Sequence, residues 1–189
     1  MIDKKIILAS QSPRRKELIG VIAENVEIRP VPCDEILPEG IGAREAVEYL
    51  SKIKNEASRK VSSPEEIVIS ADTVVAVKDE ILGKPENKED ARRMLNLLSG
   101  KTHQVYTGVT ISDDKNSVTF SEKTDVVFYR LTKKEIEEYI STSEPYDKAG
   151  AYGIQGKASL LVKGIKGDYF NVVGLPVARL KRELEKFIK

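Results

Sequence analysis

Two hydroxyls and two guanidiniums fall together in Ser10-Gln11-Ser12-Pro13-Arg14-Arg15, directly after the apolar run of residues 6–9. Ser before Pro predicts a helix start there, with Ser12 as N-cap and Pro13 at the first helical position. The free N–H groups and positive dipole end of a helix start suit phosphate, and Arg grips phosphate through paired hydrogen bonds. An ordinary capped helix with solvated arginines explains the same residues equally well. Asp72 follows the apolar residues 67–71 and is expected at the end of a buried strand. A carboxylate so placed can hold a metal or serve as general base; the ordinary alternative is a hydrogen bond to a neighbouring turn.

Lysines and a glycine-punctuated loop complete the candidates. Lys84 precedes Pro85, which restricts its backbone to a rigid turn. Lys52 and Lys54 share a helix on which only one can face a site, and the phase of Leu50 and Ile53 puts neither at the centre of the apolar stripe. A solvated surface charge is the ordinary reading of each. In residues 144–156, Gly150, Gly153 and Gly156 recur every third position. That spacing is neither a dinucleotide fingerprint nor a P-loop, but it lets backbone approach a ligand, and Gln155 offers a donor and an acceptor on one amide. His103 is the only histidine and has no adjacent nucleophile, so it is read as structural.

The elements that must position these groups alternate in kind. Strands are expected over 6–9, 67–70 continuing through 74–77, 81–82, 104–111 and 117–128, with a turn at Lys78-Asp79-Glu80. Short strands are expected near 159–162 and 171–173. Helices are expected from Pro13, over 43–60 with Ala46, Val47, Leu50, Ile53 and Ala57 on one face, and from Asn87 to Leu98. Two more run from the Thr132/Glu135 capping box to Ile140 and from Pro176 onward. Helices interleaved with strands and hairpins indicate a mixed α/β fold.

Composition narrows the class. Of 189 residues, 32% are charged and 40% hydrophobic, the balance of a globular domain, and the net charge is +1. Neither half carries the excess expected of a nucleic-acid binder. Cys33 is the sole cysteine, which excludes an intrachain disulfide and a cysteine-based zinc site. The apolar run near the start is too brief for a signal peptide or a membrane span, so a cytoplasmic location is expected.

With these pieces in order, the chain resembles the Maf family of nucleoside triphosphate pyrophosphatases over essentially its whole length. The resemblance rests on SQSPRR (10–15), SADTVV (70–75), GKP (83–85), SGKTHQVYTGV (99–109), EPYDKAGAYGIQG (144–156) and GDYFNVVGLP (167–176), in the family's order. It implies hydrolysis of a nucleoside triphosphate between the α and β phosphates, with Mg²⁺ or Mn²⁺ as cofactor. It also implies one α/β domain over 1–189, a mixed sheet with helices and two lobes around a long cleft, similar to inosine-triphosphate pyrophosphatases. On the same resemblance, Asp72 is the general base and a metal ligand, with Glu35 the accompanying acid. Ser10, Arg14, Lys52 and Lys84 are expected to hold the triphosphate, with Lys54 the alternative to Lys52. Arg14, Thr73 and Gln155 match the branch acting on dTTP and UTP, where Gln155 would accept from the base N3–H and donate to a carbonyl. The competing reading is a nucleotide-binding regulator of septum formation without catalysis. Partners are thus limited to the nucleotide and a second copy in a homodimer, with no nucleic acid and no membrane.

Overall fold

A computed structural model describes residues 4–78 and 80–189 of the chain. Asp79, in the expected hairpin turn, and residues 1–3 lie outside the described residues. The elements in chain order are β1 (Ile6–Leu8), α1 (Pro13–Ile19), β2 (Val26–Ile28), α2 (Ala43–Arg59), β3 (Ile67–Val77), β4 (Glu80–Leu82) and α3 (Lys88–Leu98). They continue as β5 (Thr102–Ser112), β6 (Ser117–Phe128), α4 (Lys133–Ile140), β7 (Val162–Lys166), α5 (Tyr169–Val173) and α6 (Val177–Phe187). Among the described residues the strands form a mixed sheet in the order β2-β1-β3-β5-β6-β7, with β4 paired to β3. The β2–β1 and β1–β3 pairs are parallel, Ile6 lying opposite Val26 and Ile67. The β3–β4 and β6–β7 pairs are antiparallel, with an irregularity at Val127/Phe128.

Helix starts follow their caps. Ser12 accepts from the Arg15 N–H, Asn87 accepts from the Asp90 N–H, and Thr132 with Glu135 forms the reciprocal capping box. Each satisfies N–H groups that have no partner inside the helix.

The chain divides into two compact units. The first comprises Met1–Asp72, Thr107–Glu122 and Gly174–Lys189; the second comprises Thr73–Tyr106 and Lys123–Val173. In the first, β1 is wholly buried, and Ile7 packs with Ala9 and Val68. In the second, the core gathers Leu95 and Leu98 of α3, Phe128 of β6, Ile136 and Ile140 of α4, and Tyr152 of the following loop. Among the described residues no helix is long and apolar enough to cross a membrane.

Three expectations change. The strand expected over 67–70 and continuing through 74–77 runs as one from Ile67 to Val77, so Asp72 lies in its interior rather than at an end. The strand expected near 159–162 is a 3-10 turn over Gly156–Leu161, with β7 starting at Val162. Gly156 opens that turn with φ of 68°, and Ser159 Oγ donates back to its carbonyl. The strand expected at 171–173 is the end of α5. There the buried Asn171 amide donates to the Val105 carbonyl and Thr124 Oγ1, which overrides the strand preference of Phe170, Val172 and Val173.

Candidate functional site

Within the first unit, the junction of β1 and α1 is held by one arginine. Ser10 is buried, and its hydroxyl accepts from the Ser12 N–H at 3.3 Å and from Arg15 Nη1 at 3.3 Å. Arg15 also donates to the Ala71 carbonyl at 2.8 Å and, through Nε, to the Gly174 carbonyl at 2.8 Å. One guanidinium therefore joins the loop after β1, the residue before Asp72, and the segment leading into α6. Arg14 beside it is half-buried.

Helix α2 supplies the second part. The amphipathic stripe that buries Ala46, Val47 and Leu50 also carries Ser51, Asn55 and Ser58 inward. Asn55 donates its two amide hydrogens to the carbonyls of Val68 on β3 and Thr110 on β5, each at 3.1 Å, and accepts from Ser112 Oγ at 2.5 Å. Ser70 donates to the Ser51 carbonyl at 2.6 Å, and Ser51 shares a hydrogen bond with Thr110 at 3.0 Å. At Gly108 on β5 the helix backbone comes so close that an added Cβ would overlap the carbonyl of Val47. These contacts fix the rotation and height of α2 over the strands.

The residue before Asn55 is then aimed at β3. Lys54 Nζ lies 2.5 Å from Asp72 Oδ1 and 2.8 Å from Glu35 Oε2. Burial opposes the Lys54 charge, but the Asp72 charge and the hydrogen bonds to Asp72 and Glu35 outweigh it and hold the ammonium above its ordinary range. The Asp72 side chain is 13% exposed and that of Glu35 50%. The structure thus joins Asp72 to Glu35 through Lys54, whereas Lys52 is exposed on α2. Of the two lysines, Lys54, the alternative, is the one beside the carboxylates. Helical phase could not choose between two residues flanking the stripe; the Ser51/Asn55/Ser58 seam, spaced 4 and 3, is the sequence signal that orients the helix.

The two carboxylates could hold one divalent cation, because they already converge on one cationic nitrogen. Mg²⁺ takes one or two carboxylates and fills its other positions with phosphate oxygens and water. Among the described residues no group of three or more His, Cys, Asp and Glu gathers as a metal cluster. Cys33 is half-buried, and burial together with the Glu35 charge raises its thiol.

The second unit holds Thr73, Lys84 and Gln155. Lys84 is exposed between Gly83 and buried Pro85, and the Gly83 carbonyl accepts from the Gly150 N–H at 2.9 Å. That bond ties the Lys84 turn to the loop carrying exposed Gln155. Gly150 has φ of 69° and packs on Val75, so a side chain there would be strained and crowded at once. His103 is buried against Phe128 and Tyr152, with Nε2 2.6 Å from Tyr152 Oη. Burial lowers its ring to about 4, in keeping with a neutral structural histidine.

A family model for Maf-like proteins matches residues 5–187. The chain belongs to the Maf-like family. Among relatives of this Maf-like chain, a dTTP/UTP pyrophosphatase of Bacillus cereus (strain G9842) is 50% identical over 184 residues, which is 97% of this chain and 96% of the relative. A dTTP/UTP pyrophosphatase of Agathobacter rectalis is 52% identical over 198 residues, 96% of this chain and 97% of the relative. One from Bacillus pumilus is 49% identical over 183 residues, again 97% and 96% of the two chains. The solved Staphylococcus aureus Ham1 protein superposes with a TM-score of 0.57 at 16% identity, covering 97% of this Maf-like chain and 99% of that one. That likeness shows a shared fold.

Proposed function

We propose that this protein is a nucleoside triphosphate pyrophosphatase that converts dTTP and UTP to the monophosphate and pyrophosphate. The observation that carries the reading is the Asp72–Lys54–Glu35 group, in a chain about half identical along its length to dTTP/UTP pyrophosphatases. Asp72 takes the proton of the attacking water as the α–β anhydride bond breaks. The bond's electron pair leaves with pyrophosphate. Charge therefore builds on the leaving group, and preorganised cations aimed there lower the barrier. Arg14, Lys84 and Lys54 are proposed for that work, with Lys54 in the role first expected of Lys52, and the Ser10 hydroxyl adds a contact to phosphate oxygen. Asp72 and Glu35 would hold Mg²⁺ or Mn²⁺, which when bound supplies neutralisation of the phosphate oxygens. Gln155, with Thr73 and Arg14, is proposed to select the base. Its amide can accept from N3–H and donate to a carbonyl of uracil or thymine, a pair of roles a carboxylate cannot fill. A cytoplasmic setting fits a metabolic enzyme of this kind.

The test is pyrophosphate release from UTP, dTTP, CTP, GTP and ATP with Mg²⁺ or Mn²⁺, run beside Asp72→Asn. Turnover of UTP and dTTP that falls by about 10³-fold in Asp72→Asn supports the base and the reaction together. Nucleotide binding without pyrophosphate release from any of the five would overturn the enzyme reading in favour of a binding regulator.

A further inference from the structure

Gln155 is exposed on a loop rich in glycine, yet reading a base edge requires its amide to be held in place before the nucleotide arrives. The loop meets that requirement at two points, both within the second unit. Upstream, Tyr152 is buried three residues before Gln155, its ring packed edge-on against His103 and Phe128 and its hydroxyl bonded to His103 Nε2. It is the side-chain hydrogen bond of His103, whose other ring nitrogen is buried without a partner among the described residues. A lone histidine with one polar contact, in a fully buried position, points to that contact as its purpose.

Downstream, Glu144 reaches across the loop. Both of its carboxylate oxygens accept from the Lys157 backbone N–H, at 3.2 and 3.1 Å, two residues past Gln155. Gly156 lies between, with φ of 68°, and an added Cβ there would come within 2.9 Å of Glu144 Oε2. The carboxylate therefore packs on a backbone that only glycine adopts without strain. Lys148 completes the frame. Its stem covers Gly153, and its ammonium bonds the Glu144 carbonyl and the Asp147 carboxylate, each at 2.5 Å.

We propose that Glu144 and His103 are positioning residues for base selection: Glu144 through Lys157 N–H, and His103 through Tyr152, fix the short span that presents Gln155 to a pyrimidine carrying N3–H. Neither touches the nucleotide. The proposal deepens the reading of Gln155 given above and rests on it.

The experiment compares kcat/KM for UTP and CTP in Gln155→Ala, Glu144→Ala, Glu144→Gln and Tyr152→Phe, with a thermal melt of each. Gln155→Ala should lower the UTP-to-CTP ratio by about tenfold, as loss of one base hydrogen bond would. Glu144→Ala and Tyr152→Phe should reproduce a drop of severalfold or more, mainly in KM for UTP, with CTP little changed. Glu144→Gln keeps an acceptor for Lys157 N–H and should restore most of the ratio. Tyr152→Phe removes one oxygen and keeps the ring, so it decides the matter if Glu144→Ala does not fold. A ratio kept within twofold in Glu144→Ala and Tyr152→Phe, while Gln155→Ala collapses it, overturns the positioning roles and spares Gln155. Equal losses on both nucleotides overturn them too, since that is what a purely structural role gives. An unchanged ratio in Gln155→Ala overturns the base-reading assignment and this proposal with it.

Discussion

Gly108 lies where β5 runs against α2, and one methyl there is a direct way to displace the helix that carries Lys54. An ideal Cβ at this position would stand 2.8 Å from the Glu48 nitrogen, with the Val47 carbonyl closer still. Favourable contact needs about 3.5 Å, so backbone must retreat from backbone by roughly 1 Å. Overpacking of this kind costs about 1–3 kcal/mol. The smaller conformational freedom of alanine in the unfolded chain offsets about 0.4–1 kcal/mol of that. A net destabilisation of about 1 kcal/mol follows for Gly108→Ala. Lys54 is seven residues beyond Val47, about 10 Å along the same rigid helix, so the shift is carried to its contacts with Asp72 and Glu35. Misplacement by about 1 Å can cost about 10²-fold in rate. Gly153→Ala supplies the control for stability. Its Cβ would come within 2.8 Å of a neighbour, but that neighbour is the Lys148 side chain, which can swing aside. Urea unfolding should separate the two variants by more than about 1 kcal/mol, and pyrophosphate release from UTP should fall steeply in Gly108→Ala. Gly108→Ala with the stability of Gly153→Ala and near-native turnover would refute the reasoning that α2 is seated by backbone contact.

The proposed role of Lys54 can be tested by comparison: Lys54→Ala should lose about 10²-fold in kcat/KM on UTP, and Lys52→Ala should stay near the parent, with the reverse order favouring Lys52. His103 is held near 4 in the fold against an ordinary 6.5, so the unfolded chain binds the extra proton first. Stability should therefore fall as pH drops from about 6.5 through 4, by about 3 kcal/mol in all, and urea midpoints should show a flatter dependence in His103→Gln. Glu66 is lowered to about 2 by hydrogen bonds from Arg29 and Lys5 and from the Ser63 N–H. Its contribution is present above its ordinary value near 4.5 and is lost as pH falls toward 2; Glu66→Gln should weaken the acid sensitivity in that lower window.

Helix starts were legible because their chemistry is local. Ser12-Pro13, Asn87 and the Thr132/Glu135 pair each cap within three residues, and the fold keeps all of them. Paired hairpin strands over 104–111 and 117–128 were legible for a similar reason, as alternation and a polar turn lie in one stretch. The choice between Lys52 and Lys54 was not local. It is made by Asn55 and Ser51 meeting carbonyls and hydroxyls on two strands distant in sequence. The continuation of the strand through 74–77 was legible from its apolar residues, but the partners of the polar ones inside it were not: Ser70 donates to the Ser51 carbonyl, and Asp72 accepts from Lys54. At 171–173, strand-forming residues became helix because a buried Asn171 needed acceptors that only tertiary structure supplies. The loop of Gln155 could be marked as unusual from its glycines, but its anchors, Glu144 to Lys157 and Tyr152 to His103, span 13 and 49 residues and leave no local pattern.

The Arg15 tether also sets an order in time. Its guanidinium bonds the Gly174 carbonyl, 159 residues later in the chain. A ribosome adding about 5–20 residues each second reaches Gly174 roughly 8–30 s after Arg15. Every residue of the second unit is made before then, whereas the first unit still lacks its last segment. The clamp on Ser10 and on the backbone beside Asp72 therefore closes late in synthesis. A nascent chain thus carries Glu35 and Asp72 long before the tether beside Asp72 can be completed.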